Sequence, residues 1–231
     1  MHEDRLARIV AGLGGTDARS ALERLADVCV EILSVTAASV AVVRDGEHRG
    51  RVALAGASAA AVDELQFSLG EGPSISADRS LSPILEPDLA HTSMPWPAFA
   101  PAALGLGIAA AFAFPLRVGT VHLGVLTLYR ASPGDLDAAD LADAVAISRI
   151  ATHLLLELER DLPPGSLPDR LEDVLDHRAS VHQATGMIAA QIDADVATAL
   201  SHLRAFAWSR DLSVADVAAQ VIARQLRFDG A

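Results

Sequence analysis

Side chains able to carry covalent or acid–base chemistry are few and scattered in this 231-residue chain. Cys29 is the sole cysteine, so the chain can form no internal disulfide. It sits in an apolar helical stretch (Leu22, Leu25, Val28, Ile32) and reads as a buried structural thiol. All 18 basic residues are arginines. Without lysine there is no amine for a Schiff base and no phosphate lysine of the Walker type. The eight histidines include no i,i+4 pair and no His-Glu-x-x-His, and a zinc site needs clustered ligands. No metal or other cofactor is expected. Glu71, held between Gly70 and Gly72 ahead of Pro73, is either a carboxylate at a site or part of a turn set by its Gly and Pro neighbours. Recognition is better served than catalysis. Arg178 and Arg204 carry guanidinium groups that can bind phosphate with two donors or stack on a base. Trp208 can stack on an unpaired base or pack against a neighbouring helix.

These residues need elements to hold them. The segment 161–169 contains three prolines and a glycine and cannot continue a helix. It is expected to link a first domain, 1–160, to a second, 170–231. In the first, Asp17 caps a helix with Leu22, Leu25, Val28 and Ile32 on one face. Strands are expected over 38–44 and 50–56, turning at Asp45-Gly46. A loop-rich middle runs from Phe67 to Gly107. Strands Ala110–Arg117 and His122–Arg130 follow, then a helix capped by Asp137 with Leu141, Val145, Ile147, Ile150, Leu154 and Leu158 as its apolar face. Helix, hairpin, loop, hairpin, helix is an α+β plan with an antiparallel sheet flanked by helices. The second domain is all helix. Leu171, Val174, Arg178, Val181, Thr185, Ile188 and Ile192 step by three and four, a heptad-like seam. Asp195 caps a second helix, with Val196, Ala199, Leu200, Leu203 and Ala207 on one face, and Ser213 with Asp216 forms a capping-box-like start for a third.

Composition narrows the function further. A net charge of −12 opposes general attraction to nucleic acid but leaves room for a local basic face. From Gly165 to Ala231 there are six arginines against nine acids, so any basic face there must be concentrated or doubled. No run of about 18 apolar residues is present, and the first residues do not read as a signal peptide. The expectation is a soluble cytoplasmic protein that does not engage a membrane.

Residues Arg178, Ala184-x-Gly186-Met187-Ile188, Ala199-Leu200, Leu203-Arg204, Ala207, Leu212 and Asp216-Val217-Ala218, taken together, resemble the ANTAR domain, an RNA-binding three-helix unit of bacterial transcription antiterminators. Leu69-Gly70-Glu71-Gly72-Pro73, the stretch 83–89, Trp96 and the strand 123–129 resemble a GAF domain, a ligand-sensing α+β fold. The ANTAR family commonly has Ala-Lys-Gly where this chain has Ala184-Thr185-Gly186, and a glutamate where it has His182; losing the lysine removes one possible phosphate contact. The resemblance implies an antitermination regulator that is not an enzyme and binds paired hairpin loops of nascent RNA through Arg178, His182, Thr185, Gly186, Arg204 and Arg210. The seam of the helix over 171–192 and the end helices of the first domain, about 18–35 and 137–160, point to a homodimer. Arg224 and Arg227 are further basic candidates, with plain solvation as their alternative. For Ala184 and Gly186 the alternative is helix–helix packing. The implied GAF ligand, a small molecule, would meet Phe67, Glu71, Trp96, Phe99 and Phe112; core packing is the alternative for the aromatics. A haem-binding GAF would need a histidine such as His91, His122 or His153. Sulfoxide-reductase or bilin chemistry would need cysteines, and only Cys29 exists, in a helix. The competing functional reading is a protein-interaction module that keeps the ANTAR fold without RNA.

Overall fold

Four of the described helices begin where a capping side chain satisfies their first N–H groups. In the computed structural model, which describes residues 17–44, 47–160, 169–210 and 212–228 (side chains of 44, 47–49 and 169–179 excepted), Asp17 accepts from the Arg19 and Ser20 N–H groups and starts α1, Ala18–Ile32. The Ser20 hydroxyl and backbone hold the Asp17 carboxyl below its ordinary range. Asp137 accepts from Ala139 and Asp140 ahead of α5, Ala138–Arg160. Asp195 accepts from Thr198 at the start of α7, Val196–Ser209. Ser213 accepts from the Asp216 N–H and donates to its carboxylate at the start of α8, Val214–Ile222.

The chain divides into two compact units, Met1–Ser166 and Leu167–Ala231, each considered over its described residues. In unit 1, strands β1 (Ala37–Arg44), β2 (Glu47–Ala55), β3 (Ile84–Glu86), β4 (Ala110–Val118) and β5 (Val121–Arg130) form an antiparallel sheet in the order β2-β1-β5-β4-β3. Helices α1 and α5 cover one face. Helices α2 (Ala59–Leu69), α3 (Pro73–Ser80) and α4 (Phe99–Gly105) belong to the other.

The two faces bury different side chains, because successive residues of a strand point to opposite sides. Ala37, Ala111 and Tyr129 join Val62, Leu89, Trp96 and Phe99 beneath α2–α4. Their neighbours in sequence turn to α1 and α5, where Leu155 closes over Gly124. Three expectations change here. The stretch 67–107 is not mainly loop: it holds the end of α2, then α3, β3 and α4. Gly70, Gly72 and Pro73 mark helix ends, with Gly70 a left-handed C-cap of α2 and Pro73 opening α3. The helix Ala59–Leu69 was not anticipated. The buried face of α5 is Asp140, Asp143, Ala144, Ile147, Ala151 and Leu155. Small Ala144 and Ala151 let the helix lie close to the sheet, and Leu141, Val145, Ile150, Leu154 and Leu158 remain half-buried.

Unit 2 is a bundle of α6 (Asp169–Ile192), α7 and α8. Val181, Ala184, Thr185 and Ile188 of α6 pack with Ala199, Leu203 and Ala207 of α7 and Val214, Val217, Ala218 and Val221 of α8. The heptad-like seam is therefore used inside the bundle from Val181 onward; the side chains of Leu171, Val174 and Arg178 lie outside the described residues.

One buried polar contact ties the second face of unit 1 together. The Gln66 amide donates to the Tyr129 hydroxyl at 2.8 Å, and its oxygen accepts from the Ser74 N–H at 2.8 Å. Ser39 Oγ lies 3.4 Å from the same hydroxyl. Burial, then the Asp63 carboxylate, push the Tyr129 phenol well above its ordinary range, so it stays a neutral O–H. Tyr129→Phe leaves a buried Gln66 donor unsatisfied. We expect it to cost about 1–3 kcal/mol, read from urea unfolding of the full chain; an unchanged midpoint would show the contact to be dispensable.

Candidate functional site

The Leu69-Gly70-Glu71-Gly72-Pro73 turn carries the first candidate. Gly70 ends α2 in a left-handed conformation, and Gly72, at φ 118°, presses on Gln66: a Cβ there would lie 2.7 Å from the Gln66 oxygen. Between them Glu71 reaches across to α4, whose first residues offer it no side-chain cap of their own. Its carboxylate accepts from the N–H groups of Ala98 (3.0 Å) and Phe99 (3.2 Å). Glu71 thus holds α4 in place, with its charge at the positive end of the helix. Trp96 is buried just before α4, donates from Nε1 to Ser76 Oγ at 2.9 Å and meets Phe99 edge to face at 5.9 Å. Phe67 is buried on α2.

Phe112 is a correction. It pairs with Leu128, while the flanking pair Ala111 and Tyr129 faces Trp96 and Phe99. Strand alternation therefore puts Phe112 under α1 and α5, on the opposite side of the sheet, and it cannot share a pocket wall with Trp96. Of the five candidates, Trp96 borders an open hollow of about 460 Å³ that is also lined by Leu89, Thr92, Met94, Ala100 and Leu104. Leu89, Thr92, Met94 and Leu104 were not foreseen; the signal available for them was only the apolar run before and within α4.

The histidines proposed for haem sit apart. His91 is exposed and paired with Asp88 at 2.9 Å, His122 lies 3.1 Å from Asp78, and exposed His153 lies 3.4 Å from Glu157. Among the described residues no group of three or more His, Cys, Asp or Glu is placed to hold a metal ion. Cys29 is fully buried, and burial pushes its thiol up to about 12. A folded-state value that high leaves no thiolate at neutral pH. Cys29 should resist an aromatic disulfide reagent at pH 8 in the folded protein and react after denaturation in urea; prompt reaction of the folded chain would contradict the assignment.

In unit 2 the RNA candidates separate by exposure. Thr185 is a second correction: it is 1% exposed and donates from Oγ1 to the Val181 carbonyl, 2.6 Å away within the helix. A side chain so placed has no surface to offer an external partner. The step of three and four that runs through Val181, Thr185 and Ile188 turns it inward. Ala184 is likewise buried and serves packing. Gly186 is exposed, and a Cβ added there would meet nothing within 4 Å. No packing inside the described chain requires that glycine. His182 and Arg204 are half-buried. Arg210 is exposed, with its guanidinium carbon 3.9 Å from the centre of the Phe206 ring, and Phe206 in turn meets Phe228 at 5.2 Å. Arg178 has its backbone in α6, and its side chain lies outside the described residues. Trp208, weighed between stacking and packing, is 62% exposed. Thr185→Val should keep the melting temperature of the chain unchanged or slightly higher, since the hydroxyl only back-bonds a carbonyl already used by the helix; a large fall would reveal a further role.

Comparison with known proteins agrees with this geometry. The GAF domain family matches residues 15–155 and the ANTAR domain family residues 169–222. No curated protein matches the chain significantly. Among solved structures, the GAF domain of an Acinetobacter phosphoenolpyruvate-protein phosphotransferase is similar with a TM-score of 0.56, 14% identity, and coverage of 69% of this chain and 96% of that one. A Neisseria meningitidis free methionine-R-sulfoxide reductase, in complex with its substrate, gives a TM-score of 0.54 at 13% identity over 70% of this chain and 92% of that one. The GAF domain of a Coxiella burnetii phosphotransferase gives 0.52 at 18% over 69% and 93%. At such identities the likeness speaks for the fold alone. With a GAF fold built as the sheet and helices require, and a three-helix unit after it, the chain belongs to the GAF domain family, in its GAF–ANTAR regulator arrangement.

Proposed function

We propose that unit 2 binds stem-loops of nascent RNA and lets transcription pass a terminator, and that unit 1 adjusts this in response to a small molecule. The observation that carries the reading is Trp208, exposed on a bundle whose core is closed without it. Exposing a large aromatic to water is unfavourable, and on a helix it offers a flat surface to an unstacked base. Arg204 precedes it by four residues, so both belong to one side of α7. Gly186 adds an open stretch of backbone on α6 with no internal reason for being open.

The signal would be received at the hollow beside Trp96 and α4, whose position Glu71 holds. Ligand binding there would shift populations of the regulator and change how its RNA-binding units are presented. The reading makes the protein a cytoplasmic regulator with no catalytic step. No described helix is long and apolar enough to cross a membrane. It also includes a homodimer, toward which α5 contributes half-buried apolar side chains on either flank of its buried face, Leu141 and Val145 on one side and Ile150 and Leu154 on the other. Two copies offer two RNA sites and raise avidity without new contacts. Light scattering should then give twice the chain mass of 24.1 kDa; a single mass would remove the pairing.

The test is a mobility-shift assay of the full chain against a pool of RNA stem-loops with randomised loops, at about 50 mM salt, where phosphate contacts are strongest. A shifted species is expected. Trp208→Ala should weaken it by about 1–3 kcal/mol, the range for loss of one stacked base, with the circular dichroism spectrum unchanged. Gly186→Ala should raise helix stability by about 0.5–1 kcal/mol and still weaken binding. If no member of the pool shifts, the RNA reading falls and a protein-interaction role, to which the acidic balance of this segment is better suited, takes its place.

A further inference from the structure

After α8 the chain does not run off into solvent. Its N–H groups at Ala223, Arg224, Gln225 and Leu226 return to carbonyls of the last helical turns. The Phe228 N–H then donates to the Gln191 side-chain oxygen of α6 at 2.8 Å, and the Phe228 ring packs on Phe206 of α7. This return leaves a pocket of about 270 Å³ lined by Met187, Gln191, Arg224 and Arg227. It falls just below the roughly 300–1,000 Å³ of whole-ligand sites, a size suited to one nucleotide rather than a larger metabolite.

We infer that this pocket receives a single nucleotide of the bound RNA, its phosphate held by Arg224 and Arg227. The inference rests on the RNA reading above and adds a site to it. Four observations favour it. Arg224 lies at φ 59°, the left-handed position after a helix where glycine is the unstrained choice, so its side chain has to be accounted for by something other than the backbone. Neither Arg224 nor Arg227 has an ion-pair partner among the described residues, and both are exposed. The Phe228 N–H engages the oxygen of Gln191, which leaves its NH2 group as a donor for a base edge or a phosphate, while Met187 supplies an adaptable apolar wall. Arg210, stacked on Phe206 at the same corner, makes this a local concentration of arginine in a unit that is acidic as a whole.

The experiment uses the full chain and a fluorescein-labelled stem-loop selected by the wild type from the randomised pool, with anisotropy read at several salt concentrations. Arg224→Gly suits its backbone position and should melt at or above the wild-type temperature, so a loss of binding is not a loss of fold. Combined with Arg227→Ala, it should weaken binding at least about tenfold and reduce the slope of log affinity against log salt by about 0.7 per arginine. The control is Arg149→Ala, an exposed arginine on α5 of unit 1. Wild-type affinity and slope in the double variant, or an equal loss in the control, would overturn the pocket while leaving RNA binding intact. If the wild type selects no stem-loop at all, the RNA reading itself fails and the pocket assignment fails with it.

Discussion

The side chain of Gln66 is the constraint on which the sensor unit turns. Its amide joins the end of α2 to the central strand β5 through Tyr129 and to the start of α3 through the Ser74 N–H. All these groups are buried, so each needs its partner in a way that surface groups do not. The neighbouring turn follows from it. Gly72 must lack a side chain because Gln66 occupies that space, Gly70 must take the left-handed conformation that ends α2, and Glu71 is left free to reach α4. What begins as a Gly-Glu-Gly-Pro turn is thus a junction of three helices and the sheet. The Trp96 hollow borders α4, and any ligand there meets a helix whose start is held by the Glu71 carboxylate.

Unit 2 is organised by a different economy. Small residues, Ala184, Ala199, Ala207 and Ala218, let its helices approach closely, and the core closes with no need for Trp208 or Gly186. Those two are the residues for which folding offers no account. The Trp208 ring is set out in water and the helix carries a glycine in its interior, both of which cost stability. The RNA reading proposed above accounts for both. With the segment acidic as a whole, that reading requires recognition by a few placed arginines and not a broad basic face, with specificity resting on stacking and geometry more than on charge.

Local features were legible in the sequence. Asp17, Asp137, Asp195 and Ser213 cap their helices as read, because a cap depends on residues within one turn. The four long strands of the sheet were also read to within a few residues at their ends. Features that depend on a distant partner were not. Phe112 shares with Trp96 only its aromatic character, and the register of β4 against β5 puts it on the other face. The motif around Thr185 suggests a surface contact, and helix phase turns the side chain inward. Of the apolar face expected on α5 only Ile147 is fully buried; Ala144 and Ala151, together with Asp140, Asp143 and Leu155, make up the rest, because close approach to the sheet favours small residues at the crossing. The pocket of Met187, Gln191, Arg224 and Arg227 requires the tail to fold back through Gln191 and Phe228, and no spacing along the chain announces that.

The claim that matters most is that the exposed surface of unit 2 meets RNA. Ultraviolet crosslinking of the full protein in cells, followed by sequencing of the attached RNA and mapping of the attached peptide, tests it directly. The account predicts enriched stem-loops upstream of terminators, attached to peptides from α6, α7 or the segment 223–228. Recovery of RNA at the level of an unrelated protein, or attachment confined to unit 1, would contradict it.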